Sequence, residues 1–202
     1  MDINVIEQKQ QIDTYIKLLN VPPLYKSLTF NDYQIYEDSQ KPVFDQIIKY
    51  CDNFLIILKS HRNALFLGRI GNGKTMLAYI IAQTLIYKGF KVRFFKFDEM
   101  IDSVRKTWSK PEIDSDHYVK SFAISHLLIV DEVGRDRITD DQIRIFSKIF
   151  EYRYEHKRPI MLIGNINFTQ IEEIFGERIS SRLQQNKPEL FAFTWADFRR
   201  RH

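Results

Sequence analysis

The segment 68–75, GRIGNGKT, constrains the fold of this chain more than any other stretch of its sequence. It fits the pattern G-x-x-x-x-G-K-[ST], in which the glycines let successive backbone N–H groups turn inward around a chain of phosphates. The apolar run 64–67 precedes it as a buried strand would, and 76–82 follows it as a helix would. This context predicts a strand, a phosphate-binding loop and a helix whose positive dipole end faces the bound anion.

The polar residues of this loop have expected roles. Lys74 would reach the β- and γ-phosphates of a nucleotide, and the Thr75 hydroxyl would bind Mg²⁺. The alternative is a glycine-rich turn with a chance Lys-Thr pair, which the strand and helix patterns on either side disfavour. We expect the nucleotide to be held by eight residues: Gly68, Ile70, Gly71, Asn72, Gly73, Lys74, Thr75 and Met76.

The bulk composition is that of a globular protein. The 202 residues suit one domain, or one domain with a short appendage, and 44% are apolar against 28% charged. The net charge of +4 is compatible with a nucleic-acid partner but does not demand one, and the single cysteine, Cys51, cannot form an internal disulfide. No N-terminal stretch resembles a signal peptide, and no apolar run approaches the ~20 residues that cross a bilayer. We expect a cytoplasmic protein without membrane contact.

Apolar strand patterns alternate with helical patterns along most of the chain. A short amphipathic helix is predicted over 3–19, and the three- and four-residue spacing of 42–59 predicts one continuous helix. The run 127–130 is continuously apolar, which is typical of an interior parallel strand. The alternation predicts an α/β fold, a parallel five-stranded sheet sandwiched by helices, with strands at 64–67, 91–97, 127–130, 160–163 and 191–193.

Polar residues follow two of these predicted strands directly. Asp131 is placed to hold Mg²⁺, and Glu132 to orient and deprotonate an attacking water. Acidic residues often leave buried strands for solvent, so this pair is informative only together with the loop at 68–75. Asn165 follows the predicted strand 160–163. If that strand lies between the strands 64–67 and 127–130, Asn165 reaches the same cleft and would orient the water or contact the γ-phosphate. The alternative is that Asn165 only starts a turn.

Arg178 and Arg182 lie one helical turn apart, after Gly176 and Glu177. One of them is a candidate to project into a neighbouring subunit's nucleotide and stabilise transition-state charge, an effect worth ~10³–10⁵ in rate. The alternative is that both are surface arginines paired with local carboxylates such as Glu177. The spacing alone does not choose between these two interpretations.

Several further segments carry a resemblance to a known family. They are Asp-Glu-Val-Gly at 131–134, Lys-Arg-Pro at 157–159, Gly-Asn-Ile-Asn at 164–167, Gly-Glu-Arg-x-x-x-Arg at 176–182 and Trp-Ala-Asp-Phe-Arg at 195–199. Pro-Pro-Leu-Tyr at 22–25 and Thr-Phe-Asn-Asp-Tyr at 29–33 precede them. Together, over roughly residues 21–200, they resemble the DnaC/DnaI helicase-loader branch of the AAA+ ATPases, with the transposon-associated IstB ATPases as near relatives.

The resemblance implies an AAA+ P-loop NTPase that binds ATP or ADP with Mg²⁺ and hydrolyses ATP. It implies a short helical segment at 1–20 and an ATPase domain at 21–202 without a C-terminal helical lid, because the chain stops three residues after Arg199. The residues that it assigns to metal binding are Thr75 and Asp131. Those that it assigns to catalysis are Glu132, Asn165 as sensor 1, Arg178 or Arg182 as arginine finger, and Arg199 as sensor 2.

The resemblance also implies two kinds of partner. Proteins of this family bind single-stranded DNA along the inside of a spiral of subunits, so we expect this chain to bind single-stranded DNA and to self-associate, with ATP, into a spiral or ring. Trp108 corresponds to an aromatic residue implicated in that contact, with Arg105 and Lys106 beside it to attract phosphates. The alternative is that Trp108 is buried at the end of its helix. Arg135 and Arg137, after the acidic pair, are further candidates for phosphate contact.

The function implied by the resemblance is ATP-dependent loading of a replicative, DnaB-type hexameric helicase in replication initiation or restart. One departure is that roughly 20 residues precede the ATPase domain, without the Cys/His cluster that some loaders carry in a longer helicase-binding region. Two alternatives stay open: a transposition- or phage-associated IstB-like ATPase, and a nucleotide-dependent switch or scaffold with little turnover. A small-molecule kinase is disfavoured because the Asp131–Glu132 pair suits attack by water.

Overall fold

The computed structural model describes residues 3–110 and 112–197, which form helices and strands in alternation. The helices are α1 (Ile3–Leu19), α2 (Gln40–Asp52), α3 (Phe54–Lys59), α4 (Lys74–Tyr87), α5 (Phe97–Trp108), α6 (Ser115–Ser121), α7 (Asp140–Glu155), α8 (Phe168–Phe175) and α9 (Glu177–Gln184). The strands are β1 (Ala64–Gly68), β2 (Val92–Lys96), β3 (Leu127–Val133), β4 (Ile160–Gly164) and β5 (Glu189–Phe193). Two 3₁₀ turns, Pro23–Tyr25 and Phe30–Asp32, lie between α1 and α2.

The five strands form one parallel sheet in the order β2-β3-β4-β1-β5. This confirms the predicted α/β class. Because β4 lies between β3 and β1, the carboxyl ends of these three strands lie side by side. The loop at 68–75, the acidic pair at 131–132 and Asn165 therefore belong to the same edge of the sheet, where ligands bind in folds of this class.

Helices cover both faces of the sheet, and the strand side chains alternate between two apolar layers. Phe66 and Ile129 belong to the layer built with α1, α2 and α4, whereas Leu65 and Leu128 belong to the layer built with α5 to α9. Strands buried on both faces explain why 127–130 is apolar at every position. No helix in the described part of the chain is long and apolar enough to cross a membrane.

The prediction of one continuous helix over 42–59 is wrong at one residue. The structure ends α2 at Asp52 and begins α3 at Phe54, with Asn53 between them. The Asn53 side-chain amide donates to the Lys49 carbonyl oxygen at 3.0 Å, a local bond of the kind that competes with helix continuation. The apolar spacing continues across the break, so the pattern alone could not show it.

The N-terminal helix packs onto the sheet and its covering helices rather than standing apart from them. Helix α1 contacts α4 and β2. Leu19 is 2% exposed and belongs to the same apolar layer as α4, with Ile12 and Ile16 packed against that layer. Helix α1 therefore covers part of the sheet face behind the phosphate-binding loop.

Candidate functional site

The loop at 68–75 connects β1 to α4 and has the backbone shape that its glycines permit. Gly71 and Gly73 have φ values of 80° and 87°, in the left-handed region that L side chains rarely adopt. A side chain at Gly73 would also approach the Tyr33 ring, whose Cε2 lies 3.3 Å from the position of an added Cβ. Helix α4 begins at Lys74, so the loop amides and the positive end of the helix dipole share one location.

Lys74 lies inside this loop and is 9% exposed. Its ammonium donates to the Gly68 carbonyl oxygen at 2.7 Å, to the Asn72 side-chain oxygen at 2.8 Å and to the Arg69 carbonyl oxygen. These contacts fix the charge at the mouth of the loop, where the phosphates of a nucleotide would lie.

The two halves of the expected metal site meet directly. The Thr75 hydroxyl donates to Asp131 Oδ2 at 2.7 Å, from the start of α4 to the carboxyl end of β3. Asp131 is 2% exposed, and burial raises its carboxyl pKa, with hydrogen bonds from Thr75 and from the Glu132 amide opposing part of that rise. A half-buried hydroxyl in contact with a buried carboxylate offers oxygen ligands of the kind that Mg²⁺ prefers, so the residues present fit that ion.

Glu132 stands next to this pair in an unusual backbone conformation, with φ at 60°. Its carboxylate forms ion pairs with Lys96 at 3.0 Å and Arg135 at 2.9 Å. Burial alone would raise the Glu132 pKa, but the hydrogen bonds from Lys96 and Arg135 outweigh it and hold the pKa below its usual value. The two cations therefore keep the carboxylate ionised and reduce its strength as a base.

Lys96 is a site residue that the sequence did not reveal. It ends β2, and in the parallel register of β2 with β3 it lies opposite Asp131. The available signal was a lysine one residue before the end of the predicted strand 91–97, which is informative only when the strand order is known. Asn165, predicted for this edge, follows β4 and is exposed beside Val133 and Gly164, which pair across the sheet.

A cavity of about 380 Å³ opens beside the phosphate-binding loop. The Tyr33 ring stacks on Phe44 with centroids 5.1 Å apart, and its hydroxyl accepts from the Gln40 amide at 3.2 Å. Gln40 is buried and accepts from the Tyr36 and Glu37 backbone amides at 2.6 and 3.0 Å. The cavity has the size and position for a nucleotide base. The residues that line it include Tyr25, Tyr33, Tyr36, Gln40, Met76 and Trp195.

The segment after β5 braces the loop from the other side. The Asn72 amide donates to the Phe193 carbonyl oxygen at 2.7 Å, and the Trp195 indole donates to the Asn72 carbonyl oxygen at 3.0 Å. Asn72 thus contacts Lys74 and the end of β5 at once. Arg199, predicted as sensor 2, lies outside the described residues.

The two candidate finger arginines have different surroundings. Arg178 has a side chain that is 72% exposed and pairs with Glu151 at 3.1 Å. Arg182 also pairs with Glu151, but its side chain is only 24% exposed and its guanidinium lies 4.3 Å from the centre of the Tyr154 ring. The carboxylate partner is therefore Glu151 and not the adjacent Glu177, and Arg178 is the arginine with access to a neighbouring molecule.

The residues expected to contact DNA are not equally available. Trp108 is 53% exposed at the end of α5, so it is not buried there. Arg105, however, is neutralised by Asp141 at 3.0 Å and Asp102 at 3.2 Å, and Arg135 is engaged by Glu132. Lys106 and Arg137 are exposed.

Two cations on α7 that share a cavity with the tryptophan were missed in the sequence. Arg144 and Lys148 line a cavity of about 180 Å³ together with Trp108. Arg144 pairs with Asp141 at 2.7 Å, the carboxylate that also engages Arg105. Lys148 follows Arg144 by one helical turn, but only the packing of α7 against α5 brings both beside an aromatic residue from a different helix.

A parallel sheet, a glycine-rich loop at a helix N-terminus and a buried aspartate touching the loop threonine define a P-loop nucleotide-binding protein of the AAA+ class. Residues 5–182 match the family described as IstB-like ATP binding protein. The chain belongs to this family of ATP-binding proteins, which confirms the resemblance drawn from the sequence motifs.

The relatives include helicase loaders. The chain is 22% identical over 198 residues to the uncharacterized protein YdaV of Escherichia coli (strain K12), which covers 98% of this chain and 78% of YdaV. It is 23% identical over 181 residues to the replicative helicase loader DnaC of the same strain, covering 90% and 73% of the two chains. A crystal structure of the DnaC helicase loader superposes with a TM-score of 0.74 at 22% identity, covering 85% of this chain and 99% of that one. The structural likeness establishes a common fold.

Proposed function

We propose that this chain is an ATP-dependent loader that places a replicative, DnaB-type hexameric helicase on single-stranded DNA. The observation that supports the ATP-dependent part is the 2.7 Å hydrogen bond between Thr75 and Asp131, the two residues that we assign to Mg²⁺. Support for the loader part comes from the relative named as the replicative helicase loader DnaC, which aligns with 90% of this chain.

In the proposed reaction the loop amides and Lys74 hold the phosphates, and Thr75 and Asp131 hold Mg²⁺. When bound, the ion neutralises charge on the phosphate oxygens. Glu132 orients a water and accepts its proton, which requires Lys96 and Arg135 to release the carboxylate first. Asn165, on the same edge of the sheet, orients that water.

ATP hydrolysis in this proposal needs a second subunit. Arg178 is exposed and extends from α9, so we assign to it the contact with the γ-phosphate of a neighbouring subunit. An arginine supplied in this way contributes ~10³–10⁵ in rate. Self-association into a spiral or ring and hydrolysis are thereby coupled, and the isolated chain turns over slowly.

Single-stranded DNA would bind at the exposed face of α5 and α7. A base stacked on Trp108 contributes ~1–3 kcal/mol without sequence preference. Lys148 in the same cavity supplies attraction for the phosphates. Arg105 and Arg144 are already engaged by Asp141.

The decisive experiment is co-purification of the full chain with the hexameric replicative helicase of the same organism, with ATP, with ADP and without nucleotide. We expect a complex that forms with wild-type chain and ATP and is lost in Lys74→Ala. The matched control is Lys9→Gln, which removes an exposed charge on α1 and should bind as wild type does. Absence of any complex with the wild-type chain under all three conditions would contradict the loader assignment.

A second candidate function is an ATPase serving a transposase, which the family match itself favours. The same co-purification with a transposase encoded beside the chain separates the two. A third candidate, a nucleotide switch with little turnover, is favoured by the ion pairs that engage Glu132. If Glu132→Gln leaves the turnover of the assembled protein unchanged, the protein is a nucleotide switch rather than a hydrolysing ATPase.

A further inference from the structure

A second cavity, of about 270 Å³, lies at the opposite edge of the sheet from the nucleotide site. It is lined by the segments that lead into the amino ends of β1, β4 and β5, and by the last turns of α7 and α9. In a parallel sheet the amino ends of all strands share one edge, so this cavity is separated from the loop at 68–75 by the full length of the strands. None of the roles assigned above uses it as a binding site.

The lining of this cavity is rich in positive charge. Its cations are Arg153, Lys157, Arg158 and Arg182, and His61 adds a titratable ring. Glu155 is the carboxylate among the lining residues. Arg182 is already compensated by Glu151 outside the lining, which leaves three cations facing one carboxylate.

Two of the guanidinium groups have no carboxylate partner in the described part of the chain. Arg153 is 1% exposed and donates only to backbone and hydroxyl oxygens, among them Pro159 at 2.6 Å and Ser125 at 3.0 Å, and its Nε has no partner. Arg158 is half-buried, and its side chain makes no hydrogen bond or ion pair with any described residue. A buried or half-buried charge without a counter-charge is unfavourable, because it has lost water without gaining a charge of opposite sign.

The same excess of charge is felt by neighbouring groups. Burial lowers the pKa of Arg153 to about 9, with the charge of Arg158 acting in the same direction. Burial also lowers the pKa of His126, again with the charges of Arg158 and Arg153 acting the same way. The charges of Arg153 and Arg158 therefore act on nearby groups in the same direction, and an anion placed in the cavity would lower the energy of these two charged guanidinium groups.

We propose that the cavity binds a phosphate group, either as inorganic phosphate or as the monoester of a small molecule, between Arg158 and Lys157. Guanidinium forks bind phosphate oxygens in pairs, and a dianion matches the excess of positive charge better than a single carboxylate does. The volume is below the ~300–1,000 Å³ that drug-sized ligands occupy, so the fitting ligand is a phosphate with at most a small organic group.

The test follows amide resonances of segments 61–63, 157–160 and 185–187 by NMR, in the full chain carrying Lys74→Ala so that the nucleotide loop does not compete for phosphate. The titrants are inorganic phosphate, methyl phosphate and sodium chloride at matched ionic strength. We expect saturable shifts with phosphate that sodium chloride does not reproduce. Saturation with methyl phosphate as well identifies esters as ligands, whereas saturation with inorganic phosphate alone identifies the free anion.

Variants assign the response to the cavity. Arg158→Gln should weaken phosphate binding at least tenfold, and Lys157→Gln, whose native side chain is exposed, gives a second variant that keeps the fold intact. Lys9→Gln is the matched loss of one exposed charge on α1 and should change nothing. Shifts that rise linearly and equally with phosphate and chloride, or equal affinities in the Arg158→Gln and Lys9→Gln variants, overturn the proposal.

Discussion

Thr75 and Asp131 are joined by a hydrogen bond of 2.7 Å although they lie 56 residues apart in the chain. The bond connects the first turn of the helix after the phosphate-binding loop to the end of an interior strand. This hydrogen bond can form because β4 is the single strand between β1 and β3, so the two side chains meet across the carboxyl edge of the sheet.

Burial of Asp131 predicts opposite effects on function and stability. The folded pKa lies above the unfolded value, so the ionised carboxylate is unfavourable in the fold, and this penalty appears as pH rises through the folded pKa. Asp131→Asn should therefore abolish Mg²⁺-dependent nucleotide turnover and raise the Tm of the ligand-free protein at neutral pH. The gain in Tm should vanish below the unfolded pKa of 3.8, and thermal unfolding between pH 3 and 8 measures it. Asp38→Asn, an exposed control, should show neither effect.

The ion pair between Lys96 and Glu132 predicts a gain in activity on mutation. Removing Lys96 takes away one of the two cations that lower the Glu132 pKa, which makes the carboxylate a stronger base. Lys96→Gln should raise basal turnover several-fold and shift the acid limb of its pH profile upward. Steady-state turnover from pH 5 to 8 is the measurement. The control is Lys91→Gln, at the residue that precedes β2. Unchanged turnover in Lys96→Gln would show that the ion pair does not limit the reaction.

Asn72 predicts a coupled loss of stability and nucleotide affinity. Its side chain joins Lys74 to the Phe193 carbonyl oxygen, and removing it leaves a buried acceptor without a donor. Asn72→Ala should lower the free energy of unfolding by about 1–3 kcal/mol in urea and weaken ATP binding. The exposed Asn31→Ala is the control and should be neutral. Wild-type stability in Asn72→Ala would contradict the bracing role.

The two arginines of α9 should separate by phenotype. Arg178→Ala should leave the Tm unchanged and reduce turnover of the assembled protein by ~10³ or more. Arg182→Ala should lower the Tm, because that side chain packs on Tyr154 and pairs with Glu151. Mixing Arg178→Ala subunits with Lys74→Ala subunits should restore part of the activity, since each supplies what the other lacks. No recovery in the mixture would place Arg178 outside the neighbouring site.

The surface around Trp108 predicts which cations matter for DNA. Trp108→Ala should weaken single-stranded DNA binding by ~1–3 kcal/mol. Lys148→Gln should reduce the slope of log K against log salt by about 0.7. Arg105→Gln and Arg144→Gln serve as comparisons and should have little effect, because Asp141 forms an ion pair with each of these arginines. Fluorescence anisotropy across a salt series measures the DNA affinity of all four variants. A larger loss of affinity in Arg105→Gln than in Lys148→Gln would contradict the assignment of Lys148 to the phosphate contact.

Much of the fold was predictable because its signals are local. The loop at 68–75 is recognised by its own spacing, and the alternation of apolar strands with helices fixes a parallel sheet. The partners of Glu132 and the aromatic wall at Tyr33 and Gln40 were not predictable, since they depend on strand order and on how 24–40 folds back over the loop. Likewise, the sequence could not separate Arg178 from Arg182, which differ only in what α7 places beside them.

We propose that Thr75 and Asp131 act jointly on a single magnesium-bound nucleotide. A double-mutant cycle on Mg²⁺-dependent ATP affinity, with Thr75→Ala, Asp131→Asn and the double variant, tests it most directly. We predict a coupling energy of about 0.5–3 kcal/mol, with the double variant losing little more than either single one. Fully additive losses would show that the two residues act on separate sites and would contradict the account.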